Sequence, residues 1–221
     1  MDNILNISKA IETLEEYFKD KGKTTLNEMR NDKSREAPFK ILIACLISLR
    51  TQDKNTEIAA NRLFSVAQTP EEILALPIEK LEELIYSSGH YKKKSQTLKS
   101  VSKEILERFK GSVPDTREEL LSIKGIGPKT AAVVLGFAYG QTVIPVDVNV
   151  HRIANRLGWV NTKTAEKTET ELMNLIPKRY WKELNAIFML HGKNICVPLS
   201  HHCSICHVSF LCPKKGVERS R

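Results

Sequence analysis

Apolar residues return at helical intervals along most of the chain. Ile4, Ile7, Ile11, Leu14 and Phe18 step by three and four, which predicts a first helix with one apolar stripe. The span 21–38 is polar and reads as a connection. Ile41 to Leu49 is almost wholly apolar, the pattern of a helix buried all round, and Asp53 is placed to cap a following helix carrying Ile58, Leu63 and Phe64. Thr69-Pro70-Glu71-Glu72 is a strong start signal: Thr caps, Pro fills the first turn and Glu72 closes a capping box. Leu98, Val101, Ile105 and Phe109 predict a helix stopped by Gly111, and Asp115 or Thr116 opens another that ends near Ser122. Thr130–Tyr139 is small and apolar, hence buried, and further helices are expected over 164–176 and 178–191. Only Thr142–Val146 reads as extended, and its Pro145 argues against a central strand. There is no fixed-period repeat, and the expected class is all-α.

Composition narrows the partners more than the fold. A chain of 221 residues, 41% hydrophobic and 27% charged, can bury a core and is neither disordered nor collagen-like. Its longest apolar run is far short of the ~18 residues of a membrane helix. Met1-Asp2-Asn3 shows no basic region ahead of an apolar stretch, as a secretory signal would. The expectation is a soluble intracellular protein, cytoplasmic or nucleoid, with no membrane partner. A net charge of +8 favours a polyanion, although a basic protein can also be merely soluble.

Between two expected helices stands Ile123-Lys124-Gly125-Ile126-Gly127-Pro128-Lys129-Thr130. Gly125 and Gly127 can adopt backbone angles closed to other residues, and Ile126 between them can plug the turn into the core. Main-chain N–H groups at the start of the next helix would suit a phosphate, gripped without reading bases. A plain helix–helix turn is the simpler alternative. Eighteen residues beyond Lys129, Asp147 is either a helix N-cap or a catalytic acid. Lys129 itself is by default a solvated cation, and becomes a nucleophile only as a free amine.

Of five cysteines, Cys45 lies in the apolar run as a small core residue, while Cys196, Cys203, Cys206 and Cys212 crowd into seventeen residues. In an intracellular chain such a cluster argues for metal over disulfides. Only Cys203-x-x-Cys206 is a short knuckle, so an iron-sulfur cluster competes with zinc, for which His201, His202 or His207 could replace a thiolate. The histidines are otherwise exposed loop residues, His191 is a packed, hydrogen-bonded one, and Lys92–Lys94 is a solvated face able to double as DNA contact surface.

Taken in order, hairpin, aspartate and cysteine loop resemble the endonuclease III family of helix-hairpin-helix DNA glycosylases over roughly residues 35–213. Gly125-Ile126-Gly127-Pro128-Lys129-Thr130-Ala131 is similar to the family's hairpin with its catalytic lysine, Asp147 falls on its catalytic aspartate, and the four cysteines match its [4Fe-4S] spacing. The resemblance implies a two-domain fold: a six-helix barrel over 31–141, and an iron-sulfur domain from 1–30 with 142–221. It places the active site in the cleft between these, with Lys129 and Asp147 on facing walls. It further implies a monomer acting on damaged double-stranded DNA, with Gly125, Gly127, Lys124 and Thr130 on the backbone and a monovalent cation as a second candidate ligand at the hairpin. Family members that only remove bases carry Ser or Tyr at the position of Lys129, so the lysine favours a bifunctional glycosylase/AP lyase for oxidised pyrimidines. A uracil/thymine mismatch glycosylase and a non-enzymatic DNA-binding iron-sulfur protein are the alternatives.

Several residues depart from the family pattern. Pro128 replaces Arg, Lys124 replaces Pro, and Asn149 replaces a His two residues after the aspartate. Leu46–Asp53 and Gly89–Lys92 resemble the loops that approach an extruded nucleotide, with Arg50 in the place of a wedge glutamine and His90 in that of an apolar wedge. Each could fill the hole left by a flipped base, or could sit on a basic rim and touch phosphate only.

Overall fold

The computed structural model describes residues 2–19 and 34–221. Eleven α-helices lie among them: α1 (Asp2–Phe18), α2 (Ala37–Ser48), α3 (Asp53–Phe64), α4 (Pro70–Ala75), α5 (Ile78–Leu84), α6 (Tyr91–Phe109), α7 (Arg117–Ser122), α8 (Pro128–Ala138), α9 (Val148–Arg156), α10 (Ala165–Leu175) and α11 (Trp181–Asn194). Among the described residues there is no strand, only an isolated bridge between His201 and Ser220, and no helix is long and apolar enough to cross a membrane. The all-α expectation is met. Most of the expected connection over 21–38 lies outside the described residues, and its last two residues already belong to α2.

Local chemistry explains most helix ends. Thr69 accepts from the Glu72 N–H at 3.3 Å while the Glu72 carboxylate accepts from the Thr69 N–H at 3.1 Å, which completes the expected capping box. Thr116 and Thr164 cap α7 and α10 through their side chains alone, accepting from the N–H groups of Glu119 and Lys167. Gln52, not Asp53, stands at the cap position of α3; Asp53 is its first residue, where a carboxylate still complements the positive helix end. The α6 helix stops before Gly111 as expected, and Lys110 shares the left-handed turn, with φ of 54° against 82° for the glycine.

The chain divides into two compact units, Lys23–Gln141 and Met1–Gly22 with Thr142–Arg221. In the first, α2 packs against α8, α3 and α6, while α6 also covers α4 and α5. Ile41 to Ile47 is buried without interruption, so α2 is the axis of this unit; Leu49, just past the helix, is exposed. In the second unit α11 packs on α1 and α9 around Ile7, Leu14, Ile153, Leu184 and Phe188. Ile4, expected in the α1 stripe, is 51% exposed, while Ile7, Ile11, Leu14 and Phe18 are buried.

Candidate active site

In the Lys23–Gln141 unit, the loop Ile123–Gly127 joins α7 to α8. Ile126 is buried and its N–H donates to the Ile123 carbonyl at 3.1 Å, the plug expected of it. Gly125 has φ of 103°, and a Cβ there would lie 2.9 Å from Thr97 Cγ2 of α6, so both torsion and space demand glycine. Gly127 is different: as the N-cap of α8 it has φ of −99°, open to any residue, and nothing within 4 Å of a Cβ position. Its lack of a side chain leaves room in front of the first turn of α8, whose N–H groups have no partner inside the helix.

Pro128 and Lys129 form that first turn, with Lys129 half-buried. Thr130 is 2% exposed and its hydroxyl hydrogen-bonds the Cys45 thiol. The Thr130 side chain therefore faces the core, and only its main chain lies at the start of α8. Burial pushes the Cys45 thiol up, against the opposing influence of Lys129 and that hydrogen bond, so the cysteine stays a neutral packing residue beside the lysine. Lys124 is exposed, and its N–H donates to Glu104 at 3.2 Å.

Two further segments of this unit come together. Arg50, just past α2, and His90, just before α6, are exposed and both left-handed, with φ of 54° and 58°. They meet at Gly89, where a Cβ would lie 3.0 Å from the Arg50 carbonyl oxygen. The supposed solvated face Lys92–Lys94 needs correcting: Lys92 and Lys93 are exposed, but Lys94 is 8% exposed. Its ammonium donates to the Ile47 carbonyl and to Thr51 Oγ1, each at 2.6 Å, and burial lowers its pKa to about 8.

The other unit holds Asp147, half-buried at the N-cap of α9. Its Oδ1 accepts from the N–H groups of Asn149 at 2.8 Å and Val150 at 2.9 Å, while Oδ2 stands 3.5 Å from Asn149 Nδ2. Capping thus fixes the carboxylate through one oxygen and leaves the other out of the cap. Asn149 Oδ1 in turn accepts from Arg152 Nη2 at 2.8 Å, and the same guanidinium donates to the carbonyls of Gly192 and Cys196, both at 3.1 Å. Gly192 is required for this contact, since a Cβ would fall 2.5 Å from Asn149 Oδ1.

Cys196, Cys203, Cys206 and Cys212 all line one cavity with Ile153, Leu157, Ile195, Val208 and Val217. Among the described residues no three Cys, His, Asp or Glu side chains converge to hold a single metal ion; the thiols stand around the cavity wall. Arg156, almost buried, donates to Cys196 Sγ at 3.3 Å and to the carbonyls of Val197 and Pro198, and the Lys214 N–H donates to Cys212 Sγ at 3.3 Å. His191 is packed as expected, with Nε2 3.8 Å from Cys206 Sγ and Nδ1 without a partner; burial lowers its pKa to about 4. His201 is 5% exposed, not a surface residue, and His207 stacks on Tyr17 at 3.7 Å. Arg152 and Arg156 escaped the sequence reading; their spacing of four, on a helix opened by Asp147, was the available signal.

Residues 43–178 match the model of the HhH-GPD superfamily base excision DNA repair protein. Endonuclease III of Thermotoga maritima is 41% identical over 183 residues, 83% of this chain and 85% of that protein. Endonuclease III of Escherichia coli is 32% identical over 179 residues, 81% and 85% of the two chains. The structure of a trapped endonuclease III–DNA covalent intermediate superposes with a TM-score of 0.81 at 29% identity, covering 95% of each chain. The chain belongs to the HhH-GPD superfamily of base excision DNA repair proteins, within its endonuclease III family.

Proposed function

We propose that this chain is a bifunctional DNA glycosylase/AP lyase that excises oxidised pyrimidines from duplex DNA. The observation that carries the reading is a half-buried lysine in the first turn of the helix that follows a Gly-Ile-Gly turn, in a chain of this family. A damaged base is out of reach inside the stack, so the nucleotide is extruded first, at a cost of a few kcal/mol. The N–H groups at the start of α8, with Gly125, Gly127 and Lys124, hold a neighbouring phosphate. Lys129 attacks C1′ with its lone pair as the bond to the base breaks and the base leaves with a proton. The sugar ring opens to a Schiff base. Loss of a proton from C2′ then expels the 3′ phosphate by β-elimination. Asp147 assists deprotonation of the amine and offsets the positive charge that builds on the sugar.

Four thiols in one apolar cavity, two of them receiving N–H donors, fit an iron-sulfur cluster. Cys196, Cys203, Cys206 and Cys212 would hold a [4Fe-4S] cluster, which when bound supplies a structural cross-link for the C-terminal segment. Purified protein is expected to be brown, with iron and acid-labile sulfide in equal amounts and neither retained by Cys206→Ser; zinc in their place would sink the cluster assignment.

Borohydride trapping tests the reaction. A covalent adduct is expected with duplexes carrying an abasic site or thymine glycol. An adduct on the abasic duplex alone would leave the lyase standing and overturn the substrate, and none on either would overturn the bifunctional reading.

A further inference from the structure

Lys94 occupies an expensive position for a lysine. Burying an ammonium group is unfavourable unless acceptors replace its water, and here two do: the Ile47 carbonyl and Thr51 Oγ1, both at 2.6 Å. Ile47 lies in the last turn of α2, where carbonyls lack partners inside the helix and the dipole favours a cation. That turn contains no basic residue of its own, so α6 supplies the charge from outside. Thr51 Oγ1 also accepts from the Gly89 N–H at 3.1 Å. One hydroxyl therefore joins Lys94, the loop after α2 and the turn before α6.

On either side of this junction stand Arg50 and His90, exposed and left-handed. A non-glycine residue in that region is strained, and such strain persists only where the surroundings over-determine the backbone. His90 receives no help as a cap, since its side chain makes no capping bond to α6. What fixes both tips is the contact of Gly89 with the Arg50 carbonyl and the bonds that converge on Thr51.

We propose that Lys94 is a positioning residue for duplex opening: through Ile47 and Thr51 it locks the two loops together so that Arg50 and His90 project as one rigid pair into the stack. The inference rests on the glycosylase reading above, since a protein that only grips phosphate has no use for such a pair. It assigns the charge of Lys94 to loop geometry, not to DNA contact.

The test uses a duplex with a tetrahydrofuran abasic analogue opposite 2-aminopurine, whose fluorescence rises when the orphan base is unstacked. Binding is followed on the same duplex by anisotropy. Wild type is expected to brighten the probe. Lys94→Met should bind within a few-fold of wild type yet lose most of the brightening, and should excise a fully paired lesion roughly tenfold or more slowly, because the cost of unstacking is less fully offset. Thr51→Val removes the shared acceptor at nearly constant shape and should behave alike, whereas Thr51→Ser keeps the hydroxyl and should retain the signal. Brightening preserved in Lys94→Met and Thr51→Val overturns the proposal, as does a loss equal in the Ser and Val variants. Failure of the glycosylase reading shows separately, as wild type that releases no base from any lesion.

Discussion

Lys129→Gln is expected to give no borohydride adduct on either an abasic or a thymine glycol duplex, and to cut strands at least about a thousandfold more slowly than wild type, within the range that removal of one catalytic group produces. Glutamine preserves most of the length and helix propensity of lysine, and the position is half-buried in the first turn of α8, outside the apolar set Ala131–Leu135 that packs the helix. Stability should therefore stay within about 0.5 kcal/mol. Only a primary amine can form the imine, so Lys129→Arg, which keeps the charge, should fail equally. Lys124→Gln is the control: the side chain is exposed and its main-chain bond to Glu104 is untouched, so its adduct should persist with weaker binding and a shallower salt dependence, one phosphate contact having been lost. Base release by Lys129→Gln at the wild-type rate would mean that the lysine serves only the lyase step. An adduct surviving in both Lys129 variants would assign the nucleophile to another amine.

The helical class and most helix ends were legible because the signals are local. The Thr69–Glu72 capping box, Thr116 before α7 and the apolar run of α2 each state their structure within one or two turns. Residues whose setting depends on distant chain were not legible. Lys94 sits in a run of three lysines, and nothing nearby marks it for burial; the C-terminus of α2 does that, from more than forty residues away. Gly125 and Gly127 look alike in sequence, yet Thr97 of α6 makes only the first obligatory. The α9 helix shows in the sequence only through the cap reading of Asp147, and its arginines look solvated until the carbonyls of Gly192, Cys196 and Val197 supply their partners.

For Asp147 the sequence left two roles open, helix cap or catalytic acid, and Asp147→Asn separates them. An asparagine carbonyl can accept from the Asn149 and Val150 N–H groups as Oδ1 now does, and Asn caps helices as well as Asp. The lost charge at the helix N-terminus is worth about 0.3–1 kcal/mol. A smaller mismatch follows at Oδ2, where the new amide would face Asn149 Nδ2, now 3.5 Å away. Asn149 cannot simply turn over, because its Oδ1 is held by Arg152 at 2.8 Å and a turned amide would point a donor at the guanidinium. The network that reaches the Cys196 carbonyl therefore limits relaxation, although a contact as long as 3.5 Å is weak to begin with. Asp147→Asn should thus melt within about 1 kcal/mol of wild type while base release falls about 10²- to 10⁴-fold, because an amide neither takes a proton nor offsets a sugar cation. Asp147→Ala should lose activity to a similar extent and a further ~1 kcal/mol of stability with the cap. Near-wild-type rates in Asp147→Asn would reduce the aspartate to a cap and leave Lys129 without its partner in the chemistry.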